Sequence, residues 1–426
     1  MILDFNQVAI FIGQNNSGKS NILDAIEFVF DGAFTDKNLV YDKADIELDL
    51  EFDSDEQIKN QFPEKSARFI LKNGQRHLRF VDKEITYNKA LSVLLSSQVK
   101  RLDYVNFHDY QQIELDYHSL FNFPSNLENF RSYLKHHFPK ISATKNAMDV
   151  RYENEGIIEG KRKATIDRLG SGFRQIFTIL LYIFHPKYSV VMINEPETHL
   201  HPAMVKKLLW AIQNANAGQI IFSTHSPLFI TPATLPQLVR VEKDNNNHTR
   251  AFTIEGHYNY KRLIQELNAD NLEMFFTDKV ILVEGVSDRL LFRGLIDKFY
   301  QGSKDVKVIQ TDGKGNMQIY IDILTTFKIP FMVVLDRDVM KTQHLRDLMR
   351  DLNIKLAPLH DTELIRALKQ YDIYVLDNGD LENNYPRKYQ NEDSKSLSAL
   401  KAASFISWQE YDSKVMRNLK EVIDNI

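Results

Sequence analysis

A phosphate-loop pattern near the start of the chain constrains its fold more than any other feature. Residues 13–20 read GQNNSGKS, which matches G-x-x-x-x-G-K-[ST] between an apolar run at 8–12 and a helical pattern over about 19–30. In such a unit, backbone N–H groups bind phosphate oxygens, the lysine contacts the terminal phosphates and the serine hydroxyl ligates Mg²⁺. The pattern therefore predicts an ATP and Mg²⁺ site that comprises Gly13, Asn15, Asn16, Ser17, Gly18, Lys19 and Ser20.

A second apolar run ends in polar residues that complement this loop. The run VVMI at 190–193 precedes Asn194, Glu195, Pro196 and Glu197, the arrangement of a Walker B segment. There the first position lies beside Mg²⁺, and the next acid acts as a base toward the attacking water. Because Asn194 carries no charge, we expect weak Mg²⁺ binding and slow hydrolysis, with Glu195 as the candidate base. ATP would then act more as a conformational ligand than as fuel.

Two shorter motifs supply candidates for contact with the γ-phosphate. The segment STHSP at 223–227 follows the apolar run 219–222 and places His225 after a strand. The segment LGSG at 169–172 precedes a helical pattern and places Ser171 where it could contact ATP bound to a second subunit. Each residue also has an ordinary interpretation, His225 as a surface-loop histidine and Ser171 as a helix cap.

Acidic residues follow two strands of a second α/β pattern that begins near residue 279. The run VILV at 280–283 ends at Glu284, with Asp288 four residues later, and the run FMVVL at 331–335 ends at Asp336 and Asp338. Parallel strands carry their chemistry at their carboxyl ends, so these acids should lie at one sheet edge. Repelling carboxylates in such a place are commonly bridged by divalent cations. The alternative is that they are ordinary solvated strand-end acids.

Composition restricts the classes of protein that remain. The chain of 426 residues has no cysteine, so a metal would be bound by carboxylates, histidine or water. No apolar run reaches the roughly 18 residues of a membrane span, and the first residues do not match a secretory leader. A cytoplasmic protein with no membrane partner is expected. The net charge of −4 argues against general coating of nucleic acid but permits a local basic groove.

In their order along the chain, these motifs resemble two known families. The phosphate loop, LGSG, INEPETHLHP and STHSP are similar to ABC-type ATPases of the RecF/SMC/OLD group. The spacing from VEG to DRD resembles a Toprim domain, which has a Rossmann-like α/β fold. Together with VEGVSDRLLF and GDLE at 379–382, the combination resembles the OLD (overcoming lysogenization defect) family.

The resemblance implies a domain order and further site residues. It implies an ABC-type ATPase domain over 1–255 and a Toprim nuclease domain with C-terminal helices over 278–426. The polar helical pattern between them predicts a linker helix over 256–277. Within the first domain, alternating residues predict an antiparallel subdomain at about 45–115, and a helical arm or insertion is expected at about 119–146. The implied metal residues are Glu284, Asp288, Asp336, Asp338 and Glu382, besides Ser20 in the ATPase. The family also uses a late lysine near the scissile phosphate, for which Lys395 and Lys401 are both candidates.

Two functions from different classes follow. The first is a metal-dependent DNA endonuclease or nickase that uses Mg²⁺ or Mn²⁺ and whose slow ATPase regulates cleavage. The resemblance implies a homodimer or higher even-numbered oligomer, a role in phage defence or phage exclusion, and a second defence protein as a further partner. The alternative is an ATP-dependent DNA clamp or sensor whose partner protein is the effector.

Overall fold

A computed structural model describes most of the chain. The described residues are 7–30, 46–51, 66–72, 75–80, 84–86, 93, 95–139, 141–143, 148–154, 157–215, 218–244, 246–253, 270–311, 314–390 and 394–426. They form two compact units, the first of which holds most of the chain up to Phe229. The second holds Arg250–Ile426 with the short stretches Ile12–Gln14 and Ile230–Asp244. Most of the expected linker, 256–277, lies outside the described residues, and the domain boundaries stay predictions.

The regular elements are numbered in chain order. The strands are β1 (Val8–Ile12), β2 (Ile46–Glu51), β3 (Ser66–Lys72), β4 (Gln75–Arg79), β5 (Glu84–Thr86), β6 (Val99–Leu102), β7 (Ile141–Ala143), β8 (Met148–Asn154), β9 (Ile157–Ala164), β10 (Val190–Asn194), β11 (Gln219–Ser223), β12 (Leu238–Lys243), β13 (Thr249–Thr253), β14 (Lys279–Val283), β15 (Val306–Gln310), β16 (Phe331–Leu335) and β17 (Ile373–Val375). The α-helices are α1 (Lys19–Phe30), α2 (Tyr110–Leu120), α3 (Pro124–His137), α4 (Ser171–Phe184), α5 (Pro202–Gln213), α6 (Val286–Phe299), α7 (Lys314–Thr326), α8 (Gln343–Asp351), α9 (Asp361–Leu368), α10 (Lys395–Phe405), α11 (Trp408–Tyr411) and α12 (Arg417–Asp424). Short 3₁₀ turns connect several of them.

A parallel sheet forms the centre of the first unit. Its strands β6, β10, β11 and β1 lie side by side in that order, with Ile193 of β10 and Ile10 of β1 both opposite Phe222 of β11. These three side chains are fully buried. The apolar runs predicted to be buried strands are therefore the core of the sheet, because a strand covered on both faces contacts only other apolar residues.

Two antiparallel sheets differ in extent from the sequence-based expectation. The described strands of the first, β2-β3-β4-β5, extend only to Thr86, whereas the expected subdomain extended to about 115. The next described strand, β6, pairs parallel with β10 instead. The second, β7-β8-β9, begins inside the expected helical arm at 119–146. That arm is helical only to His137, since Ile141–Ala143 pairs with β8 and tertiary pairing overrides the local pattern.

The second unit contains the other predicted α/β pattern. Its strands lie in the order β15-β14-β16-β17 and every neighbouring pair is parallel. Helices α6 and α10 approach each other closely at Gly294, where an added Cβ would lie only 2.6 Å from Cβ of Ala403. This close approach brings the N-terminal end of α10 toward that of α6, and the hydroxyls of Ser287 and Ser396 are 3.3 Å apart.

No helix within these described ranges is long and apolar enough to cross a bilayer.

Candidate nucleotide and metal sites

The phosphate loop between β1 and α1 has a backbone that requires glycine at one position. Gly18 has φ of +103°, and a Cβ there would lie 2.3 Å from Oγ1 of Thr249. The hydroxyl of the neighbouring Ser17 is buried, and among the described residues it has no hydrogen-bond partner. A buried donor that no side chain or backbone group satisfies fits a loop that receives a phosphate oxygen.

Lys19 lies at the start of α1 with only 5% of its surface exposed. Burial lowers the pKa of its amine to about 8, although the nearby Glu195 and Glu197 oppose this change. Removal of an ammonium group from water is costly unless an anion compensates it. The position of Lys19 is therefore suited to a bound phosphate group.

Asn194 ends strand β10 directly beside the phosphate loop. Its Oδ1 accepts hydrogen bonds from Oγ of Ser20 at 3.2 Å and from Oγ of Ser223 at 2.6 Å. Ser223 is the residue opposite Asn194 on β11, so the parallel pairing itself brings the two side chains together. The amide thus occupies the place expected for a Mg²⁺-neighbouring acid, but it contributes no negative charge there.

Glu195 and His225, the two predicted catalytic residues of this site, contact each other. Nε2 of His225 lies 3.4 Å from Oε1 of Glu195. Glu195 has φ of +53°, and its backbone N–H donates to the carbonyl of Ser223 at 3.0 Å, which turns the chain sharply after β10. Burial and then the charge of Lys19 lower the pKa of His225, although Glu195 opposes them.

Glu197, to which the sequence assigned no role, holds the histidine loop in place. Its Oε1 accepts hydrogen bonds from Oγ1 of Thr224 and from the backbone N–H of His225, both at 2.8 Å. Burial raises the pKa of this carboxyl group. The only signal in the sequence was the second acid of the NEPE segment.

Ser171 is the first residue of α4 and its side chain is exposed. No side-chain cap bond is formed at this helix start, where Gly170 is the capping residue. The simple helix-cap interpretation of Ser171 is therefore not what the fold uses.

The predicted acids of the second unit follow neighbouring strands. Glu284 comes directly after β14 and Asp336 directly after β16, and these strands pair in parallel with Leu282 opposite Val333. Asp288 lies in the first turn of α6, where its Oδ2 accepts a hydrogen bond from the N–H of Gly285 at 3.1 Å. Glu284 and Asp336 therefore lie at the same edge of the sheet, as the strand pattern predicted.

The charges of these acids influence one another. Burial raises the pKa of Asp336 to about 7, and Asp288, Glu284, Asp380 and Asp338 add to the rise in that order. Burial also raises the pKa of Asp288 to about 6, with a smaller contribution from Glu382. Asp380, which precedes Glu382 in GDLE, was not among the predicted site residues.

Lys395 begins α10 beside this acidic group. Its ammonium nitrogen lies 3.3 Å from each carboxylate oxygen of Glu382 and 3.8 Å from Oδ2 of Asp380. Burial opposes its charge, but hydrogen bonding to Glu382 and the nearby acids raise the pKa of the ammonium group. Lys401, the other candidate, is half-buried six residues further along the same helix.

The donor set of this second site consists of carboxylate oxygens, which suit Mg²⁺, Mn²⁺ or Ca²⁺. Within the described ranges, no three acidic or histidine side chains are already grouped closely enough to enclose an ion. However, Oδ1 of Asp336 is buried, and it has no hydrogen-bond partner among those residues. An unsatisfied buried carboxylate oxygen surrounded by other acids fits a position for a cation.

Comparisons with known families agree with this division of the chain. Residues 275–338 match the family "Overcoming lysogenization defect protein-like, TOPRIM domain". Residues 1–147 match an AAA ATPase domain, and a second AAA domain model matches 104–231. These matches confirm the predicted order, an ATPase domain followed by an OLD-like Toprim domain.

Individual relatives are similar over part of their length. An OLD nuclease of Thermus scotoductus is 28% identical over 192 residues, which are 41% of this chain and 36% of the relative. Endonuclease GajA of Bacillus cereus strain HuB5-5 is 24% identical over 191 residues, 37% of this chain and 27% of that protein. The matched stretches therefore span about a third of these curated relatives. An SMC head bound to a ScpA domain has a TM-score of 0.44 at 18% identity, covering 59% of this chain and 92% of that structure.

Proposed function

We propose that this protein is a metal-dependent DNA endonuclease or nickase whose activity is governed by nucleotide binding. The observation that carries the proposal is the placement of Glu284 and Asp336 after adjacent parallel strands, with Oδ1 of Asp336 buried. The similarity to an OLD nuclease and to endonuclease GajA supports DNA as the substrate.

The acids at the sheet edge would hold the metal ions of this reaction. They are Glu284, Asp288, Asp336, Asp338 and Glu382. Asp380 is added because its charge acts on Asp336 and because it lies 3.8 Å from the ammonium group of Lys395. Divalent ions held by these acids would supply activation of a water molecule and stabilisation of the leaving oxygen. Lys395, whose ammonium group reaches this edge, is the better placed of the two lysines to bind a phosphate oxygen of the substrate.

The ATPase site is proposed to bind ATP but to hydrolyse it slowly. Lys19, Ser20 and the loop backbone would bind the phosphates and Mg²⁺. Glu195 would act as the base toward the attacking water, and His225 would contact the γ-phosphate. The neutral amide of Asn194 withholds the charge that normally draws Mg²⁺ to this place. ATP would then act mainly through the conformation of the protein.

The setting of this activity is also a proposal, and it rests on the resemblance of the sequence motifs to the OLD family. It includes a homodimer or a larger even-numbered assembly, with Ser171 contacting ATP in the opposite subunit. It further includes a cytoplasmic role in phage defence or phage exclusion, and a second defence protein as partner.

The decisive experiment is cleavage of supercoiled plasmid by the purified chain in Mg²⁺ or Mn²⁺. Wild type should nick or linearise the DNA, whereas Glu284→Gln and Asp336→Asn should not. Asp297→Asn is the matched control, because Asp297 is an exposed acid on α6, the helix that also carries Asp288. Cleavage that survives both site substitutions would remove the metal-site assignment.

The uncharged Asn194 also favours one other function, an ATP-dependent DNA clamp or sensor that relies on a partner for cleavage. Wild type that binds DNA in the presence of ATP but never cuts it with either ion would support that function instead.

A further inference from the structure

The ammonium group of Lys395 is placed where a cation would be expected. It is equidistant, at 3.3 Å, from both carboxylate oxygens of Glu382, and it lies 3.8 Å from Asp380. Lys395 also acts electrostatically on Asp288 and Asp336. Its charge is therefore shared among four acids rather than paired with one.

We propose that Lys395 is a built-in counter-ion that occupies Glu382 while the metal is absent and must leave it when the metal binds. The inference rests on the proposed metal site, since it assumes that Glu382 is one of the ligands. Without a metal ion, the carboxylates of the site would repel one another. The ammonium group of Lys395 reduces this repulsion until a divalent ion binds.

The local structure permits such an exchange. The side chain of Lys395 is 69% exposed, whereas that of Glu382 is only 21% exposed. Lys395 stands at the first position of α10, after the capping hydroxyl of Ser394, which accepts from the N–H of Leu397 at 3.1 Å. The helix start is thus held by its own cap, and the lysine can swing away without loss of helical structure. An ion pair this exposed is also weak enough to be displaced.

The exchange has a consequence for the reaction. A lysine released from Glu382 would still begin α10 beside the acidic residues, where a phosphate oxygen of the substrate would be its next partner. Binding of the metal would therefore make the same ammonium group available to DNA. The positioning of Lys395 near the substrate would depend on prior loading of the site.

The test measures Mn²⁺ affinity of the full chain without DNA, by electron paramagnetic resonance or calorimetry. Lys395→Met should tighten Mn²⁺ binding about 2- to 5-fold, the range that corresponds to loss of an exposed ion pair. Lys395→Arg should leave the affinity close to wild type because it keeps the charge. Lys401→Met is the control for a lysine on the same helix, and it should change the affinity clearly less than Lys395→Met does.

The same lysine substitutions in a Glu382→Gln variant distinguish competition between Lys395 and the metal for Glu382 from a general effect of charge. In Glu382→Gln, the gain from Lys395→Met should shrink to that of Lys401→Met, because the shared partner is gone. Unchanged or weaker binding by Lys395→Met, or a gain that persists in Glu382→Gln, would overturn the counter-ion proposal.

The same measurements distinguish this proposal from the function on which it rests. Mn²⁺ binding that wild type has and Asp336→Asn loses supports the metal site, whatever Lys395→Met does. Wild type that binds no Mn²⁺ would overturn both.

Discussion

Oγ of Ser20, at the start of α1, donates a hydrogen bond of 3.2 Å to Oδ1 of Asn194, at the end of β10. The two residues are 174 positions apart, and the parallel sheet brings them together. The contact places a neutral amide where a carboxylate would share Mg²⁺ with the serine. In the proposed ATPase site, this amide would bind Mg²⁺ more weakly than a carboxylate would.

Asn194→Asp should raise the rate of ATP hydrolysis at least about ten-fold, equivalent to ~1.4 kcal/mol in the barrier. The carboxylate keeps the acceptor for Ser20 and Ser223 and adds the charge that attracts Mg²⁺. Steady-state phosphate release measures the effect. The same substitution in a Lys19→Ala background should give no turnover, and fast hydrolysis by wild type would contradict the prediction.

Binding of ATP should take up a proton at about pH 8.5 and almost none at about pH 6.5. Burial lowers the pKa of Lys19 to about 8, so without nucleotide the amine is largely neutral at the higher pH. Bound phosphates favour the charged form, and the amine is reprotonated. Calorimetry in buffers of different ionisation enthalpy measures the uptake.

The control for this experiment is Lys19→Arg, whose side chain stays charged at both pH values. If this variant binds ATP, it should do so without proton uptake. A wild-type binding enthalpy that is independent of the buffer at both pH values would refute the role given to Lys19.

Ser171→Arg should weaken ATP-dependent self-association at least about ten-fold while ATP binding by the single subunit is unchanged. Ser171 is exposed at the start of α4, and a large charged side chain there would obstruct an opposing subunit. Sedimentation with and without ATP measures the change. Ser132→Arg, at an exposed position of α3, is the control, and equal effects of both variants would argue against an interface at Ser171.

Asp336→Asn should raise the melting temperature by about 2–4 °C at about pH 8 and by clearly less at about pH 5. Burial, then Asp288 and Glu284, raise the folded-state pKa of Asp336 from 3.8 to about 7. The folded protein therefore binds this proton more tightly than the unfolded chain does. The associated stability is fully present below pH 3.8 and is lost as the pH rises through about 7.

Asparagine never ionises, so Asp336→Asn avoids the loss of folding stability that ionisation of Asp336 causes. The melting temperature of this variant should therefore exceed that of wild type by more as the pH rises. Asp297→Asn, an exposed acid on α6, should not show a growing advantage. Mn²⁺ should stabilise wild type at about pH 8 and reduce the difference from Asp336→Asn. An advantage that is equal at both pH values would contradict this account.

Features that depend on neighbouring residues in the chain could be predicted from the sequence alone. The glycine pattern around Lys19 and the apolar runs that end at Asn194, Glu284 and Asp336 are local, and each predicts a strand with a functional residue at its end. Because the carboxyl ends of parallel strands lie at one edge of a sheet, the pattern also predicted that Glu284 and Asp336 lie at the same edge. The two-domain order followed from the sequence of these motifs.

Strand β6, which carries charged residues, could not be predicted from the sequence because a tertiary contact compensates for its charge. Strand β6 contains Arg101, which is 7% exposed and donates to Asp24 of α1 at 3.0 Å. A buried arginine with a distant acidic partner has no local signature in the sequence. The strand therefore joined the parallel sheet where only an antiparallel subdomain was expected.

The partners of the predicted acids were decided by the tertiary structure. Lys395 and Lys401 are equivalent in the sequence, but they are six residues, about 9 Å, apart along one helix. The close packing of α10 on α6 at Gly294 brings the N-terminal end of α10, with Lys395, to Glu382 and Asp380. Similarly, Glu197 accepts the hydrogen bond from the backbone N–H of His225 because the strands that precede them, β10 and β11, are neighbours in the sheet. The local sequence identified the candidate residues because their motifs are short. Packing between distant segments determined which of these residues are in contact.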